Sequence, residues 1–170
     1  MKKTDLATLG KENVFDAIGK EWLLVCAGTP EKCNMMTASW GGLGILWGKP
    51  VAYIFIRPER YTHDFIERCD HLTLSLLGPE GKAVHKVCGT KSGRDIDKIA
   101  ATGLRPVALA SDAVGFEQAR LTMLCRKLFK TSFADENFID RDVLARWYGP
   151  EAGGLHDLYV CEIEQVFEAE

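Results

Sequence analysis

Short runs of apolar, β-branched and aromatic residues, each stopped by glycine or proline, dominate this sequence. Val51–Arg57 reads VAYIFIR, His71–Leu77 reads HLTLSLL before Gly78-Pro79, and Glu21–Ala27 reads EWLLVCA before Gly28-Thr29-Pro30. Such runs predict strands. Asn34–Trp40, Pro106–Ala110, Ala119–Phe129 and Leu158–Phe167 have the same character, the last two with period-two alternation. Helical spacing is confined to four short segments: Arg60–Cys69, Glu80–Cys88, Asp95–Ala101 and Asp140–Trp147. A parallel sheet needs a crossover helix between most successive strands, and these intervals are too few. The expectation is a mainly β fold: a closed or split antiparallel barrel with short peripheral helices. Within it, Thr62 is placed to cap the helix that starts near Arg60.

With 170 residues, the chain is expected to form a single domain over residues 1–170, large enough to fold without a metal or disulfide staple. A net charge of -3 provides no footprint for nucleic acid or an anionic membrane. Any anion must therefore be held by local cations and backbone N–H groups. The N-terminal segment lacks an apolar core of signal-peptide length, and no apolar run reaches membrane-span length. Six cysteines are spread along the chain without a CxxC pair, so reduced thiols in the cytoplasm are expected. Cys26 and Cys33 flank a turn and form the one pair close enough in sequence for redox chemistry.

Familiar catalytic signatures are missing. The four histidines form no metal-ligand grouping, no GxSxG elbow is present, and neither GxxxxGK[ST] nor GxGxxG occurs. Two constellations remain. Cys33-Asn34-Met35-Met36-Thr37-Ala38-Ser39-Trp40 sets small and hydroxyl residues beside large polarizable faces, which suits a flat heteroaromatic ligand. Arg57-Pro58-Glu59-Arg60-Tyr61-Thr62 joins a strand to a helix N-terminus, where free N–H groups, two arginines and a hydroxyl favour phosphate. Taken alone, the first also reads as an ordinary core strand and the second as a solvated turn. Together they describe a planar-ring site and a phosphate site one strand apart, and that pairing points to flavin mononucleotide.

The order Asn34-x-Met36-Thr37-Ala38-Ser39-Trp40, then Arg57-Pro58-x-Arg60-x-Thr62 with Ile66 downstream, resembles the flavin reductase–like family of FMN-binding split barrels. A third element, Ser92-Gly93-Arg94-Asp95-x-Asp97-Lys98 followed by Gly103-Leu104, is similar to its flavoredoxin subgroup. The resemblance runs from about Trp22 to Leu104. It implies an antiparallel Greek-key split barrel, a homodimer, and FMN at or near the dimer interface. By position, Asn34, Met36, Thr37, Ala38 and Ser39 would line the isoalloxazine ring, and Trp40 would pack against it. Arg57, Arg60 and Thr62 would receive the phosphate, with Ser92 and Lys98 near the ribityl–phosphate tail. Phe129 or Trp147 would cover the flavin from a partner subunit. The implied activity is electron transfer between NAD(P)H, or a redox protein, and FMN, with no catalytic side chain and no metal. A non-catalytic module holding flavin or haem is the alternative. A pyridoxamine-phosphate oxidase–type enzyme fits the Asn-Met-x-Thr-Ala-x-Trp arrangement less well.

Overall fold

The computed structural model describes residues Met1–Glu170. Ten strands form: β1 (Lys2–Thr4), β2 (Leu23–Thr29), β3 (Lys32–Ala38), β4 (Gly41–Leu46), β5 (Lys49–Ile56), β6 (His71–Leu76), β7 (Pro106–Ala110), β8 (Ala113–Phe116), β9 (Leu121–Ser132) and β10 (Asp157–Glu168). Five α-helical segments accompany them: α1 (Val14–Asp16), α2 (Tyr61–Arg68), α3 (Lys82–Thr90), α4 (Lys98–Thr102) and α5 (Arg141–Tyr148). The main sheet runs β3-β2-β6-β9-β10-β5-β4, with β1 added to β10, and every pairing is antiparallel. β3 and β4 are its unpaired edges, so the barrel is split there. β7 and β8 form a separate hairpin. No helix is long and apolar enough to cross a membrane.

Alternation decides which side chains fill the barrel. In β10, Tyr159, Cys161, Ile163 and Val166 point into the main core, whereas Glu162 and Glu164 face outward and pair with Arg126 and Lys49. Irregularities after Val160 and Ile163 bend this long strand, so its two halves serve different stretches of the barrel wall. β2 has no polar alternation because both of its faces are covered. Leu23, Val25 and Ala27 enter the main core, while Leu24 and Cys26 join a second cluster with Val114, Phe116 and Cys88. β5 buries Ala52, Ile54 and Ile56, which puts Phe55 and Arg57 on its outer face.

Three departures from the sequence reading have physical causes. The glycine-rich stretch after Trp40 is a strand, β4, because the Tyr53 ring on β5 covers Gly42 and Gly44 and supplies the packing they lack. Its hairpin turn has positive φ at both central residues, Trp47 and Gly48. The helix expected over Asp95–Ala101 begins later, at Lys98, because the Asp97 carboxylate caps the Ala100 amide (3.0 Å). Thr62 does not cap α2. Arg60 holds the N-cap position without a side-chain bond, and the Thr62 hydroxyl lies inside the first turn, facing Asn34.

Candidate functional site

β3 is an edge strand, and its free side builds the first half of the site. Strand alternation sends the backbone groups of every second residue away from β2. The Met35 carbonyl points that way, since it accepts from Lys98 Nζ at 2.8 Å. Two residues on, the Thr37 amide therefore also faces outward. Met36, Thr37, Ala38, Ser39 and Trp40 line a pocket of about 160 Å3 along this edge, closed by Phe55, Arg57, Arg60 and His156. The Thr37 hydroxyl is committed elsewhere: it donates to the His85 carbonyl (2.9 Å) and meets His85 Nδ1 (3.1 Å). With that donation made, Nδ1 must carry the proton, leaving Nε2 as a bare, buried nitrogen without a partner. Burial, with Lys82 nearby, lowers the His85 pKa to about 4.

The second half lies at the start of α2. A pocket of about 250 Å3 is bounded by Glu59, Arg60, Tyr61 and Thr62 on one side and by Gly89–Ser92 and Lys98 on the other. Arg60 lines both pockets and joins them. In the first turn of α2 the His63 amide bonds the Arg60 carbonyl (2.8 Å), which leaves the Tyr61 and Thr62 amides without an intrahelical partner. Arg60 donates to the Cys88 carbonyl (3.0 Å), and Lys98, only 5% exposed, donates to the carbonyls of Met35 (2.8 Å) and Cys88 (3.3 Å). Neither side chain forms an ion pair. Burial lowers the pKa of both. The Cys88 carbonyl belongs to the C-terminal turn of α3, whose dipole end amounts to only about half a negative charge. Glu59 and Lys91, which also line the pocket, offset each other in charge, so the two full positive charges of Arg60 and Lys98 leave a surplus. A buried charge normally has a partner, and the charge and donors of this pocket can accept an anion.

Behind these walls, Asn34 (4% exposed) donates to the Thr62 hydroxyl at 2.8 Å. A Cβ at Gly93 would collide with Asn34 Oδ1. The loop after α3 can therefore pass only as glycine. Arg94 fastens it, lying over the Tyr61 ring (4.6 Å) and reaching the Glu59 carbonyl (3.1 Å) and Asp64 (2.7 Å).

The sequence profile of the flavin reductase like domain matches residues 15–170. The chain belongs to the flavin reductase like family. No curated protein sequence matches it significantly. Among solved structures, flavoredoxin of Desulfovibrio vulgaris (Miyazaki F) is 22% identical with a TM-score of 0.68, covering 100% of this chain and 78% of its own. Flavoredoxin from Methanosarcina acetivorans is 17% identical with a TM-score of 0.67, covering 88% and 69%. An FMN-binding protein from Thermus thermophilus is 22% identical with a TM-score of 0.66, covering 86% and 69%. At these identities the likeness is one of fold, the split barrel of the family.

The family motifs thus converge on one face. Met36, Thr37, Ala38, Ser39 and Trp40 lie in the strand-edge pocket, Thr62, Ser92 and Lys98 in the helix-end pocket, and Arg60 in both. Asn34 supports the wall. Arg57 differs from the sequence expectation. It lines the strand-edge pocket, and its guanidinium bonds the carbonyls of Trp147 (3.1 Å) and Ala152, tying down the segment after α5. Trp147 packs edge-to-face on Trp40 of its own chain at 5.1 Å. Phe129 lies away from the site, against Trp47 (6.3 Å).

His156 is the site residue the motifs did not indicate. It lines the strand-edge pocket 5.3 Å from Trp40, and Tyr148 Oη holds its Nδ1 at 2.8 Å. Its Nε2 has no protein partner and is not sealed off. Burial, followed by the nearby Arg57, lowers its pKa to about 4, so it stays neutral at physiological pH. Nothing adjacent in sequence marks it: the contact joins the residue just before β10 to the segment just after β3.

Proposed function

We propose that this chain is an FMN-binding flavoprotein oxidoreductase that moves electrons between NAD(P)H, or a redox protein, and the flavin. Membership of the family supports a flavin, and the phosphate-sized surplus of positive charge at Arg60 and Lys98 is the observation that favours FMN. A phosphomonoester carries about -1.5 to -2 charge, which balances two cations. The two joined pockets fall together within the range of small-molecule sites, roughly 300–1,000 Å3. The donor set and the volume both fit the group.

In this reading Arg60, Lys98, Ser92 and the Tyr61 and Thr62 amides of α2 hold the phosphate. Thr62 and Asn34 keep that wall rigid. The outward-facing backbone of β3 and Trp40 line the ring, and neutral His156 offers Nε2 as one hydrogen-bonding atom beside it. Bound FMN supplies hydride and one-electron chemistry, and the protein binds and orients it. The six unpaired cysteines support a reducing compartment, the cytoplasm. A homodimer is part of the proposal. Ile45 and Trp47 on the β4–β5 hairpin and Phe129 on β9 form an exposed apolar group, 72%, 60% and 47% accessible, of the kind that a second copy covers.

Anaerobic mixing of the flavin-loaded protein with NADH and then NADPH tests the enzymatic part. Rapid bleaching of the flavin band is expected for a reductase. Bleaching only in the presence of a reduced redox protein would make the chain a carrier instead.

A further inference from the structure

A second cavity, of about 300 Å3, shares Trp40 with the strand-edge pocket. It is lined by Trp40, Phe133, Phe138, Val143, Trp147 and Tyr148. The rings interlock: Phe133 meets Phe138 at 5.8 Å, and Phe138 meets Tyr148 at 5.4 Å. No charged side chain lines it, so a charged ligand would lose hydration without compensation.

Its most versatile polar group is Tyr148 Oη, paired with His156 Nδ1 at 2.8 Å. Burial raises the Tyr148 pKa, so the phenol keeps its proton, and His156 is neutral with a single ring proton. Two arrangements are then open. If Nδ1–H donates to Tyr148 Oη, the phenol O–H is free to donate to a carbonyl in the aromatic cavity. If the phenol donates to Nδ1, its oxygen accepts from a ligand hydroxyl, and Nε2–H faces the strand-edge pocket. Arg57 lies over the Tyr148 ring, 5.3 Å from its centre, from the strand-edge side.

We propose that this cavity binds an uncharged aromatic ligand of the quinone class, accepting its carbonyl form and its phenol form through the two settings of the Tyr148–His156 pair. That the ligand is an electron acceptor rests on the flavin reading above, since Trp40 lines both cavities and the Tyr148–His156 pair joins them. That it is uncharged and aromatic rests on the lining alone.

Duroquinone (tetramethyl-1,4-benzoquinone) is a suitable probe because its fully substituted ring cannot add cysteine thiols. It is titrated into the full chain carrying 15N-labelled tryptophan, and the indole N–H signals are followed. Saturable shifts are expected at Trp40 and Trp147, with Trp22 and Trp47 unmoved. Val143 is exposed at the start of α5, where an aspartate suits the helix. Val143→Asp should therefore fold normally, weaken duroquinone binding about tenfold or more, and leave FMN affinity unchanged. Uniform shifts at all four indoles, no shift, or undiminished binding to Val143→Asp would overturn the proposal. So would a dimer in sedimentation whose Trp147 signal ignores the quinone, since a second copy would then cover the cavity. FMN titration is read separately. Quinone binding without FMN binding keeps the cavity and removes the flavin reading, and FMN binding without quinone shifts does the reverse.

Discussion

At the scale of single residues, the buried positive charge of the helix-end pocket rests on Arg60 and Lys98, and removing either has a defined consequence. Arg60→Ala and Lys98→Met should each weaken FMN binding by about 2 kcal/mol, the contribution of a charge-assisted bond. Fluorescence titration measures this. Arg57→Ala, whose guanidinium serves carbonyls beyond α5, should leave phosphate affinity closer to wild type and loosen the Trp147–Ala152 segment. Limited proteolysis would detect that loosening. The motif placed Arg57 and Arg60 in one role because they stand three residues apart at a helix start. The structure separates them because Arg57 ends a strand on its outer face, whereas Arg60 turns toward the end of α3. Asn34 and Gly93, far apart in sequence, prove to be one contact.

His156 and His85 carry the pH dependence. Both have pKa values lowered to about 4 from 6.5, so the unfolded chain takes up protons where the folded chain resists them. Their contribution is complete above pH 6.5 and is lost as pH falls from there toward 4. At pH 5 each should cost roughly 2 kcal/mol of stability relative to pH 8. Urea unfolding of wild type against His156→Gln tests it: the two curves should converge as pH falls through this window. A constant gap would show that His156 titrates normally.

At the scale of elements, the strands were the most legible part. β5, β6, β9 and β10 could be read from their β-branched runs and alternation, because a half-buried pleated surface imposes period two on sequence. β4 could not, since its glycines are packed by Tyr53 from the neighbouring strand. The shortened α4 follows from which aspartate captures a free amide, Asp97. The loop between α3 and α4 is the element on which the site depends most. Gly93→Ala should push Asn34 off Thr62, weaken FMN binding at least several-fold, and lower the melting temperature, with Arg94 still pinning the loop to Asp64. Unchanged binding in that variant would detach the Asn34–Thr62 pair from the site.

For the whole molecule, an overall charge of -3 draws no anion from solution, and the fold answers with a local surplus between the start of α2 and the end of α3. The split itself leaves two sheet edges, and β3 uses its free edge as the wall of the site. In the proposed homodimer, the exposed Ile45, Trp47 and Phe129 are the surface that a second chain covers. Trp47→Asp is expected to shift sedimentation from dimer to monomer, and it should do so without removing the phosphate pocket, which is built within one chain. The central claim, that this pocket and the strand edge together hold FMN, is tested most directly by the absorbance spectrum of the protein titrated with FMN and freed of unbound flavin by gel filtration. A retained flavin band near one FMN per chain, reduced at least several-fold in Arg60→Ala, is the expected result. A colourless protein, or retention that ignores Arg60, would contradict it.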